Sequence, residues 1–191
     1  MANYQYIIAG LPDFQPDFEA REFDYDEIVS FIRSQCSDRD CGYIDWLEAG
    51  SEEKNIGHLF YSSVDSSPCK FLRNWFAFDE RVREAKVAYL DGGKPSVDAV
   101  PEAGDLMAIF STPNIMEREK QLDAYYWKKA DDLVLYDLFD IDVILAFIAK
   151  ARIVRRWNRL DPATGAEFFK QLVQDVRGTF NGVEFDPSQK Q

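Results

Sequence analysis

Three groups of side chains in this chain have types that do chemistry elsewhere. Cys36, Cys41, His58 and Cys69 are thiols and an imidazole, the soft donors of zinc sites. The C-x4-C pair is loosely spaced and Cys69 stands far from it, so the pattern predicts three reduced thiols and no metal. His58 is the one histidine. A general base needs an oriented partner, and none is legible beside it. Asp137, Asp140 and Asp142 could converge on magnesium, the basis of a small metal-dependent hydrolase. Their position just before an apolar run makes helix capping the simpler account. The third group is cationic: in FDIDVILAFIAKARIVRRWNRLD an apolar run passes directly into Arg152, Arg155, Arg156 and Arg159.

At about 100° per residue these four arginines fall within roughly a third of a helix circumference. Two readings stand side by side. The arginines brace acidic helices of the same chain, with Glu117 and Glu119 as candidates, or they dock an acidic helical partner through paired carboxylate contacts. Trp75, on another amphipathic helix, is the aromatic candidate for the same contact. No Walker, nucleophile-elbow or dinucleotide motif occurs, so the chain is read as non-catalytic and without a cofactor.

The balance of the whole chain narrows the partners. Its 191 residues carry a formal charge of -12, which disfavours nucleic acid and anionic lipid. Aromatic residues reach 15%, read as a bulky core, an adhesive surface, or both. The run from Ile141 to Ala149 is far shorter than the roughly 20 residues that cross a bilayer. No leader is read at the N-terminus, and with an odd cysteine count the expected location is the cytoplasm.

The elements that would position these residues are helices. Asp24 and Glu27 form a capping-box pattern ahead of Ile28, Phe31 and Ile32. A helix is expected from about 38 to 49, stopped by Gly50. Ser67-Pro68 opens a helix running to about Leu90. Thr112-Pro113 opens another through Leu122, Tyr126 and Ala130. Asp140 caps the arginine-bearing helix, and Asp161-Pro162 caps a last one that Gly178 stops. Tyr4, Tyr6 and Ile8 alternate like a short strand, which a short piece near Val183 and Phe185 could pair, with a helix as the alternative. Loops are expected near 50–67 and 91–103, and a polar tail at 179–191. The result is a single, mainly α domain of about six or seven helices.

Four stretches together resemble a bacterial family of unknown function encoded among the genes of V-type (A/V-type) rotary ATPases, at the place expected for the gene of the C (d) component. They are YQYIIAGLP, CKFLRNWFAFDERVREAKVA, MEREKQLDAYYWKKADDLVLYDLFDIDVILAFIAKARIVRRWNRLD and GAEFFKQLVQDV. The resemblance implies a helical, non-catalytic protein, distantly like the C (d) component, between the central stalk and the membrane rotor. It implies other ATPase subunits as partners and no inserted membrane segment. The chain departs from the family in being shorter ahead of Cys69, which implies a reduced helical subdomain there. The alternative is a free-standing helical adaptor.

Overall fold

A computed structural model describes residues 3–17, 23–93, 95–96, 99–160 and 162–180. Among these the protein is mainly helical. Its central element is α8 (Ile141–Asn158), in which Ile144 through Ala149, Ala151, Val154 and Trp157 are all buried. That near-continuous burial has a packing cause: α8 meets α1 (Tyr4–Ala9), α2 (Tyr25–Gln35), α3 (Asp38–Ala49), α5 (Lys70–Leu90) and α7 (Ile115–Leu133). A helix covered on most sides needs apolar residues on most sides. Asp140 starts it, its carboxylate accepting from the Val143 N–H at 3.2 Å.

The 21-residue α5 joins two hydrophobic clusters. Phe71, Leu72 and Phe76 belong to the larger one, built around α8 with Ile7, Ile32 and Ile44. Phe78, Val82 and Ala85 belong to a smaller one with Val100, Leu106 and Phe110 of the segment containing α6 (Ala103–Phe110). The register of one long apolar stripe thus decides that both clusters are held at a fixed spacing.

Several expectations change. The N-terminal alternation is helical: Asn3 accepts from the Tyr6 N–H at 3.2 Å, and Ile7, not the alternating residues, is fully buried. Three alternating positions fit either period, and the cap decides. The expected loop at 50–67 contains a short 3-10 turn (Glu53–Asn55) and α4 (His58–Asp65). There Val64 is buried against α5, while the serines that read as loop bond back to their own turns, as Ser63 does to the Leu59 carbonyl at 2.8 Å. Both Ser/Thr-Pro pairs lie ahead of their helices. Cys69 precedes α5, and Asn114 caps α7 by accepting from the Glu117 N–H. Gly178 does not stop α9 (Pro162–Phe180). The proposed strand at Val183 and Phe185, with most of the polar tail, lies outside the described residues.

Candidate functional site

The residues singled out by type do not all converge. Asp137 lies 3.8 Å from Lys70, Asp140 caps α8, and Asp142 accepts from the Cys69 thiol at 3.4 Å. These are three separate structural duties. The Cys41 thiol donates to the Arg33 carbonyl at 3.6 Å, and His58 opens α4 on the surface. Burial, with the carboxylate of Asp142 nearby, pushes the Cys69 thiol up to about 12. Burial and Asp40 push Cys36 up to about 11. Among the described residues, no group of three or more His, Cys, Asp or Glu side chains is placed to hold a metal.

The arginines separate into two places. Trp75, Arg152 and Arg156 line one cleft, of about 310 Å³, between the end of α3 and helices α5, α7 and α8. Arg155 and Arg159 border a second surface hollow beside Phe23, Tyr25 and Asp26. There Arg155 lies 3.2 Å from Asp26 and 4.6 Å over the Tyr25 ring. Arg159 closes α8 and its side chain is exposed.

In the first cleft the charges are matched almost one to one. One terminal nitrogen of Arg156 donates to both oxygens of Asp123, at 3.0 and 2.9 Å, and the other reaches Glu119. Asp123 is 6% exposed and accepts from the Trp157 indole N–H at 2.7 Å. Burial raises its carboxyl above the ordinary value, and Arg156 and Trp157 oppose that rise. Asp79 is held in the same way: it accepts from Tyr126 at 2.8 Å, Tyr61 at 2.9 Å and Arg83 at 2.8 Å. Trp75 stacks on Phe71 with centroids 5.6 Å apart and meets Tyr126 at 5.6 Å, forming an aromatic wall.

For Arg155 and Arg156, therefore, the bracing reading describes the observed geometry, with Asp26, Asp123 and Glu119 as partners. Sequence reasoning gave Asp79, Arg83, Asp123 and Tyr126 no role in a site. A signal existed for two of them. Leu72, Phe76, Asp79 and Arg83 follow helical spacing, which sets an acid on an otherwise apolar face with its cation four residues on.

The architecture is that of an all-α protein with paired charges in an aromatic-walled cleft. Residues 97–179, from the segment before α6 into α9, match the model of a family described as "Protein of unknown function (DUF2764)". Neither the curated proteins nor the solved structures yield a match. No helix among the described residues is long and apolar enough to cross a membrane.

Proposed function

We propose that the protein is a non-catalytic part of a V-type rotary ATPase, like its C (d) component, that couples or assembles the central stalk and the membrane rotor. The choice of partner rests on the resemblance of the four sequence stretches. The observation that carries a binding role is α9. Residues 165–176 are exposed except for half-buried Val173. Phe168 and Phe169 are each 66% exposed and Leu172 is 59% exposed. An isolated helix of this length is marginal in water, and a single apolar face gains its stability by packing on another surface. The exposed apolar turn after α7, with Leu135, Tyr136, Leu138 and Phe139, offers further area of the same kind.

The test is co-purification of the tagged full chain with stalk and ring proteins of the ATPase. Wild type should bring them down. Phe168→Glu with Phe169→Glu should lose them while keeping its melting temperature, because those rings pack little within the chain. Wild type that never co-purifies with ATPase proteins overturns the reading. A double variant that co-purifies fully moves the contact away from α9.

A further inference from the structure

Beyond the ATPase reading, and independent of it, we propose that the cleft between α3, α5, α7 and α8 is a binding site for an oxyanion, a carboxylate or phosphate on a small apolar body, held by the Arg152 guanidinium.

Among the described residues, the one hydrogen bond of the Arg152 guanidinium is a long one, 3.5 Å, to the Glu48 carbonyl. It has no ion pair among the described residues, although a guanidinium carries five N–H donors. The two carboxylates whose charge reaches it are occupied elsewhere. Glu48 is held by Arg33 at 2.8 Å and accepts from the Tyr25 hydroxyl at 3.3 Å, and Glu52 is held by Lys54 at 2.8 Å. Burial holds Arg152 below its ordinary value, while Tyr25 and Glu48 pull the other way. A half-buried guanidinium with so few protein partners keeps most of its donors for water or a ligand.

No fully buried side-chain nitrogen or oxygen among the described residues lacks a partner. The N–H groups of Arg152 left without a partner are therefore not fully buried, and Arg152 lines the cleft. Within it, Arg83 answers Asp79 and Arg156 answers Asp123 and Glu119, so Arg152 is the arginine of the cleft with no ion pair among the described residues. Its fork matches the oxygens of a carboxylate or phosphate. Trp75, Phe76 and Ile153 supply apolar walls. The volume of about 310 Å³ lies at the small end of ligand sites.

The experiment is calorimetric titration of the full chain at constant ionic strength with inorganic phosphate and, separately, with 3-phenylpropionate. Saturable one-site binding of either probe is expected. Phosphate alone would identify a phosphoryl ligand, and 3-phenylpropionate alone or preferred a carboxylate. Arg152→Met keeps the hydrocarbon stem and should weaken binding about tenfold or more, the loss of a charge-assisted contact. Should Arg152→Met not fold, Ser51→Glu, which sets a carboxylate at the cleft mouth, takes its place and should abolish binding. Absence of saturable binding to both probes, or equal affinity in the variant used, overturns the proposal. The readout needs no ATPase protein, so its failure and the failure of the ATPase reading are separate results.

Discussion

At the scale of single residues, the energetics turn on which charges are buried. Asp123 and Glu119 both bind Arg156, but the side chain of Asp123 is 8% exposed and that of Glu119 is 33% exposed. Exposed pairs contribute little, because solvent screens them and ordering two long side chains costs entropy. Removing a buried partner is different, since the group it served keeps its desolvation cost. Asp123→Ala deprives both the Arg156 guanidinium and the buried Trp157 N–H of this acceptor. It should lower unfolding free energy by about 2–3 kcal/mol, discounted because Arg156 itself is half exposed. Glu119→Ala should cost under about 1 kcal/mol. Urea unfolding with an unchanged m-value checks both. Equal effects would mean that Asp123 is solvated.

At the scale of elements, legibility depended on whether one local signal dominated. α8 was legible because a long apolar run and a capping aspartate agree. α3 was legible at both ends, from about 38 to Gly50. α1 and α4 were not, since six and eight residues hold too few periods to outvote alternation or serine content, and packing on α8 and α5 decides them. The cleft was half legible. Trp75, Arg152 and Arg156 could be named from type and spacing, but the bonds of Arg156 to Asp123 and of Tyr61 and Tyr126 to Asp79 join separate helices, and no local pattern encodes them. Gly50 shows the same division. Sequence marks it as a helix stop, yet its φ is -70°, where any residue is comfortable. Its second role is steric, because a Cβ there would collide with the rings of Phe76 and Phe60. Gly50→Ala should therefore destabilise by about 2 kcal/mol through overpacking. Gly42→Ala, in the middle of α3 with nothing within 4 Å of the added carbon, should stabilise by about 0.5–1 kcal/mol. Melting curves of the two variants should move in opposite directions.

At the scale of the whole molecule, acidity and aromatic content are one property. The chain has 34 acidic residues against 22 lysines and arginines, so twelve carboxylates have no cation of their own. Tyrosine hydroxyls take up part of that excess. Tyr4 donates to Asp40 at 3.0 Å, Tyr25 to Glu48 at 3.3 Å and Tyr125 to Asp105 at 3.3 Å, while Tyr61 and Tyr126 share Asp79. The aromatic richness that reads in sequence as core or interface is in part a set of donors for acids. Burial first, with Asp40 and Asp105 adding to it, pushes Tyr4 and Tyr125 up to about 12. Tyr25 is pushed up to about 12 by burial, which outweighs the opposing pull of Arg152 and is aided by Glu48. Tyr61 and Tyr126 are raised as well, by burial and by the Asp79 charge. A phenol in the unfolded chain ionises near pH 10. Between about 10 and about 12 the folded state therefore holds protons that the unfolded state has released, and stability falls as pH rises through that window. Below about 10 this stabilisation is fully present. Urea midpoints measured between pH 8 and pH 11 should hold steady at first and drop once pH passes 10. Tyrosinate absorbance at these phenols should then appear together with loss of helical signal. Ionisation of all nine tyrosines near pH 10 with the helices intact would show that the phenol–carboxylate contacts do not hold in solution.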